Sequence, residues 1–243
     1  MAVAFDAGSG ANGSTGTSQT LSHTCSGSNR ILWVGCFSNN NSIPSAMTYN
    51  GVAMTAHVSK LQNSPNSNES IALRFLVAPA TGANNIVVTW STSNPNPSVS
   101  GASFTDGTQS AVTEGTQVAS GASAASASGT VVTSADNCFS ILLVRATGGA
   151  GDTAGTNSTR VIAGAIIGNM FYSTTAKTPA GSMSQTVNFS PNSSWALLYA
   201  PFPPAAAAAG PANLKSYNTN LKANIKSIDT NLIANVKSLN TNT

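Results

Sequence analysis

The chain has 243 residues and a mass of 24.4 kDa, enough for one large all-β domain or two small domains. Only 7% of the residues are charged, ten basic and seven acidic, against roughly 25% in an ordinary soluble domain, which excludes a helical bundle or coiled coil. A hydrophobic content of 41%, gathered in short runs, argues against charge-driven disorder, and two histidines with seven carboxylates leave few general acids or bases for an enzyme.

The net charge of +3 is unevenly placed. Residues 1–212 carry six basic and six acidic groups, and the excess lies in Lys215, Lys222, Lys226 and Lys237 against Asp229. Four lysines spread among Asn and Thr lack the arginines and aromatics of a nucleic-acid patch, so a solvated segment is expected and no nucleic-acid partner. The opening Met-Ala-Val-Ala-Phe-Asp reaches an acid before an apolar core forms. No secretory signal is therefore expected, and no run approaches the ~20 apolar residues of a membrane span.

In chain order, β-type runs fall at Val3–Phe5, Gln19–Cys25, Arg30–Ser38, Ala46–Tyr49, Val52–Val58 and Ser70–Val77. Further runs follow at Asn85–Trp90, Val99–Phe104, Thr130–Thr133, Cys138–Ala146, Val161–Ile167, Ser184–Phe189 and Trp195–Ala200. About a dozen short strands separated by Gly, Pro and Asn predict a sandwich or barrel. Ile31–Phe37 and Ile141–Val144 are nearly continuous apolar runs, which marks them as strands covered on both faces or packed on a neighbouring subunit. Asn50-Gly51 between β-formers predicts a two-residue type I′ hairpin. Residues 107–129 are small and of low complexity; they fit a mobile loop, the favoured reading because nothing in them demands burial, or a flat Ser/Ala/Thr strand in an assembly.

The sandwich is expected to occupy residues 1–203, followed by a Pro/Ala/Gly linker at 204–211. Residues 212–243 then repeat every eleven residues, as Ala-Asn-apolar-Lys-Ser-apolar-Asn/Asp-Thr-Asn. The apolar positions Leu214, Tyr217, Leu221, Ile225, Ile228, Leu232, Val236 and Leu239 are spaced three, four and four apart. That spacing is the hendecad of a right-handed helical supercoil, although the Asn, Thr and Ser content opposes a lone helix. The rival is a β-repeat, with Ala-Asn-Ile-Lys-Ser-Ile as strand and Asp-Thr-Asn as turn. Either geometry leaves an apolar stripe that one chain cannot bury, so this tail predicts self-association, most simply as a trimer, or docking onto a larger structure.

Cys25, Cys36 and Cys138 have no close pairing and lack the short ligand spacings of a zinc site. They are expected to be buried small hydrophobes, with a Cys25–Cys36 disulfide left open. His23 and His57 lie within strand runs, remote from any Gly-x-Ser-x-Gly elbow. Glu69 and Glu114 are the only glutamates, and Asp106 and Asp152 lie in Gly-rich turns, so no carboxylate pair is marked by spacing. No catalytic residue, metal or cofactor is expected. The candidates for contact with a sugar are Trp90, with Asn94 and Asn96 in the segment after it, and Tyr172, although Trp90 reads equally as a sheet-packing residue.

Three segments carry a resemblance: Gly27–Gly35 (SNR then an apolar run), Met47–Thr55 (TYNGV) and Phe75–Thr89 (APATGANN then an apolar strand). Together they resemble a β-sandwich domain of phage structural proteins and bacterial surface proteins, and the tail resembles repeats that end tail-fibre and virion proteins. The resemblance implies an all-β, antiparallel, jelly-roll-like sandwich in a non-enzymatic virion protein: a tail fibre, a capsid decoration or a similar exposed element. Its implied partners are copies of itself, other virion proteins or a host surface glycan. Its implied location is the virion, after synthesis in the host cytoplasm. The alternative is a carbohydrate-binding adhesin module of a cell surface, and after it a glycan-depolymerising enzyme.

Overall fold

The computed structural model describes residues 2–64, 67–146, 151–162 and 168–206. Among these, strands make up the regular structure, no helix is present, and every strand pairing is antiparallel. Numbered in chain order, the first sheet runs β1 (Ala4–Asn12), β9 (Ser98–Thr105), β3 (Ile31–Ser38), β7 (Ser67–Val77), β6 (Thr55–Ser64). The second runs β2 (Gly16–Cys25), β8 (Gly82–Asn94), β4 (Ala46–Tyr49), β5 (Val52–Ala53). The third runs β10 (Gln117–Val132), β15 (Ser182–Phe202), β11 (Phe139–Ala146), β14 (Gly168–Tyr172), β13 (Thr159–Arg160), with β12 (Gly151–Ala154) also paired to β15.

The first sheet is the middle layer, and the alternation of β3 explains why. Ile31, Trp33 and Phe37 point into a cluster shared with Ile141, Leu143, Leu198 and Phe202 of the third sheet. Leu32, Val34 and Cys36 point the other way, into a cluster with Met47, Tyr49, Ile86, Val88 and Trp90 of the second. Both sets are apolar because both faces are covered, so all of β3 is buried. The continuous run Ile31–Phe37 is thus roofed within one chain, without a neighbouring subunit.

β11 obeys the same rule with different neighbours. Ile141 and Leu143 face the first sheet, while Leu142 and Val144 enter a further cluster with Val131, Phe171, Met183, Val187, Phe189, Leu197 and Tyr199. Leu197 and Tyr199 share that cluster with Met183 and Val187 of the same strand, so the β10–β15 ribbon doubles back on itself. The fold-back falls where the ladder slips between Gly121 and Ser126. Tyr199 therefore pairs with Gln117 yet packs on Gly129, where a Cβ would sit 2.6 Å from the tyrosine Cγ.

This ribbon corrects the loop expected at 107–129: residues 117–129 belong to β10. Their small side chains are what lets the aromatic residues of β15 lie against the strand, with Gly121 under Trp195 and Gly129 under Tyr199. Other boundaries moved too. Ser184–Phe189 and Trp195–Ala200 are one strand, β14 and β12 were not anticipated, and Val161–Ile162 bends instead of forming a strand. Residues 163–167 of that expected strand lie outside the described residues.

The Asn50-Gly51 hairpin forms as expected: Tyr49 pairs with Val52, and the two turn residues have φ of 50° and 76°. The first compact unit spans Met1–Ala206, with Pro204 bridged to Gly107 and the Ala205 N–H donating to the Asp106 carbonyl. The body thus runs a few residues past 203. The remainder of the linker and the whole repeat tail, with all eight of its apolar positions, lie outside the described residues.

Candidate functional site

The four residues expected to contact a sugar do not form one site. Trp90 lies on β8 at 2% exposure, inside the cluster between the first and second sheets, and its indole N–H has no hydrogen-bond partner. It is the packing residue of its two readings, and an exposed platform is not available there. Asn94 is fully buried, and its Oδ1 accepts the Asn39 N–H at 2.9 Å, tying the end of β8 to the loop after β3. Asn96 is exposed, with φ of 50°, in the turn before β9. Tyr172 is on the third sheet, with the first sheet between it and Trp90. It is half-buried and stacks face to face on Phe5, ring centroids 4.4 Å apart. Tyr172 with Phe5 seals the β1 side of the sandwich.

The titratable groups gather in two places that sequence spacing did not reveal. The first lies between the first and second sheets, where β1 meets β2. Ser9 and His23 Nδ1 are 2.8 Å apart, and His23 is 2% exposed. Burial pushes the imidazole down to about 4, against the pull of Asp6. Asp6 does not orient the ring; its oxygens accept hydrogen bonds from Ser26 N–H, Ser26 Oγ and Ser103 Oγ. Burial raises the Asp6 carboxyl, but these bonds outweigh it and hold the group below the usual carboxylate range. A hydrolytic triad needs an acid on the second ring nitrogen. Here His23 Nε2 is buried with no hydrogen-bond partner, so the geometry is that of a packed pair.

The second gathering joins the first and third sheets. Glu69 of β7 and Arg145 of β11 form an ion pair at 2.8 Å, and the arginine also lies over the Phe37 ring, 4.6 Å from its centroid. Asp152 of β12 pairs with Arg160 of β13 and accepts the Asn169 amide at 2.7 Å. Burial raises both carboxyls, opposed at Glu69 by Arg145 and at Asp152 by Arg160 and Asn169. The two carboxylates lie on different sheets, and each has its own guanidinium partner. Only twelve charged residues stand in the first 212, so a charge closing an apolar run, as Arg145 closes Ile141–Val144, was the one sign of a buried pair.

His57 is the bulged residue between Ala56 and Val58 on β6. Its ring meets Trp33 edge-on at 5.1 Å, and burial lowers its pKa. The three cysteines are free and buried, with the Cys36 thiol pushed up to about 12 and the Cys138 thiol to about 11, chiefly by burial. Thiols held so far up are protonated near neutral pH and poor nucleophiles.

The outward face of β10 is uncharged. On the folded-back ribbon, Ser128 meets Thr186 at 2.8 Å and Thr130 meets Ser184 at 2.9 Å, a ladder of hydroxyls satisfying one another. No protein-family model, curated protein or solved structure matches the chain.

Proposed function

We propose that the chain is a non-enzymatic structural protein of a virion, a tail fibre, capsid decoration or similar exposed element, in which the sandwich is displayed and the repeat at 212–243 joins copies or docks them onto the particle. The observation that carries this reading is the nested pairing of eight of the first nine strands. β1 pairs with β9, β2 with β8, β3 with β7 and β4 with β5, all antiparallel. One long ribbon rolled on itself would generate such an order, which supports reading the sandwich as jelly-roll-like, the architecture of capsid and lectin domains. The third sheet is an addition laid on one face of that roll.

Two further features support a structural role. The groups able to do chemistry are engaged with one another: Glu69 with Arg145, Asp152 with Arg160, Asp6 with Ser26 and Ser103. The tail leaves apolar surface worth roughly 25 cal/mol per Å² exposed on a single chain, a force for assembly. The adhesin reading loses its aromatic platform with Trp90 buried, and keeps only the exposed Asn and hydroxyl surfaces.

The test is the mass of the intact protein in solution. Changing Ile225, Ile228 and Leu232 to Ser should dissociate the assembly while the melting temperature of the body stays unchanged. The same oligomer in variant and wild type would sink the tail assignment. Strong, selective binding on a glycan array would favour the adhesin instead.

A further inference from the structure

We propose that the sandwich carries a second association surface, the free edge of β10 over Gln117–Ala125, and that it pairs antiparallel with the same segment of another copy across a two-fold axis. Among the described residues β10 is the outermost strand of the third sheet and pairs with β15 alone. No backbone hydrogen bond of Gln117–Ala125 other than the β15 ladder is formed among those residues. A free edge presents a row of N–H and C=O groups, and what satisfies such a row is another extended strand.

Natural edges are usually guarded by charge or proline. Here neither occurs from Gly115 to Ala135, in a chain with eleven prolines. Lack of charge also suits self-pairing, because a two-fold sets the segment against an identical one, and a charged segment would face charges of its own sign. The exposed large hydrophobics in the described residues are Val52, Val118 and Val132, and two of these three stand on β10. The two halves of the strand differ in a way that locates the contact. In the second half the Thr130 N–H is already taken by the Gln117 side chain, whereas Ser120, Ala122, Ser123 and Ala125 are exposed with no such cover. The side chains there are Ser, Ala and Gly, small enough for a second strand to approach at ordinary sheet spacing.

Single cysteines placed at Val118, Ser120, Ala122, Ser123 and Ala125 of the full chain, oxidised and read on a non-reducing gel, test the pairing. The three native thiols are buried, so they provide little background. Antiparallel pairing about a two-fold brings only the central residue against itself. Dimer yield should therefore peak at one position and fall on both sides, and Val118→Lys with Ser120→Lys added to the best cross-linker should abolish it. A yield that is flat along the strand, or no greater than that of Val52→Cys on the remote β4–β5 hairpin, overturns the proposal. Repeating the best position with Ile225, Ile228 and Leu232 changed to Ser separates this contact from the tail: the peak persists if the edge acts independently and vanishes if the tail alone brings copies together, which also overturns it.

Discussion

Protonation of His23 is expected to destabilise the body in acid. Its folded pKa of about 4 lies below the ordinary 6.5, so the native state favours the neutral ring. The resulting stability is fully present above pH 6.5 and is lost as the pH falls towards 4, amounting to roughly 3 kcal/mol over that window. Replacing His23 with Gln should flatten this part of the stability profile, measured as the shift of the denaturant midpoint between pH 7 and 4. Parallel profiles for variant and wild type would place the acid sensitivity elsewhere, with His57 next in line. Gly129 offers a steric counterpart. A methyl there meets the base of the Tyr199 side chain, which cannot swing aside, so Gly129→Ala should destabilise by about 1–3 kcal/mol. An unchanged melting temperature would mean that the ribbon does not fold back onto Tyr199.

Single strands were readable where local chemistry and burial agree. Ile31–Ser38 is apolar on both alternations because two layers cover it, and Asn50-Gly51 accepts positive φ at low cost, so both could be read without any long-range knowledge. Putting Val at both turn positions should cost roughly 1–3 kcal/mol, since β-branched residues resist that conformation. Thermal unfolding of the double variant checks it; no loss would mean that the hairpin tolerates another turn. β10 was misread for the opposite reason. Its Ser, Ala and Gly residues have weak strand propensity, and the demand for a strand comes from Trp195 and Tyr199, some seventy residues away. β12 is short, four residues fixed by a ladder with β15 and by the contacts of Asp152 with Arg160 and Asn169, none of them local in sequence to a strand pattern. Trp90 and Asn94 are buried, and an aromatic residue followed by Asn fits a buried strand end as well as an open loop. Only the neighbours of Trp90 and Asn94 decide between these, and the neighbours come from other strands.

At the scale of the whole body, the question is what couples the third sheet to the first. Apolar residues around Trp33, Phe104 and Phe202 pack across this boundary, and Glu69–Arg145 is an ion pair that crosses it with both side chains largely out of water. Such a pair costs desolvation to form, and removing one partner leaves the other uncompensated. Arg145→Met should therefore destabilise by about 3–5 kcal/mol near neutral pH. Burial already raises the Glu69 carboxyl with the arginine beside it, and would raise it further without it. A group whose folded pKa lies above its unfolded value favours folding at low pH and penalises it as pH rises, so the variant should recover part of its stability on acidification. Adding Glu69→Leu removes the orphaned charge and should return most of the loss at every pH. The measurement is a double-mutant cycle by denaturant unfolding at pH 7 and 4.5. A coupling energy below about 0.5 kcal/mol would mean that the two charges act independently, and that the third sheet is held to the first by its apolar face alone.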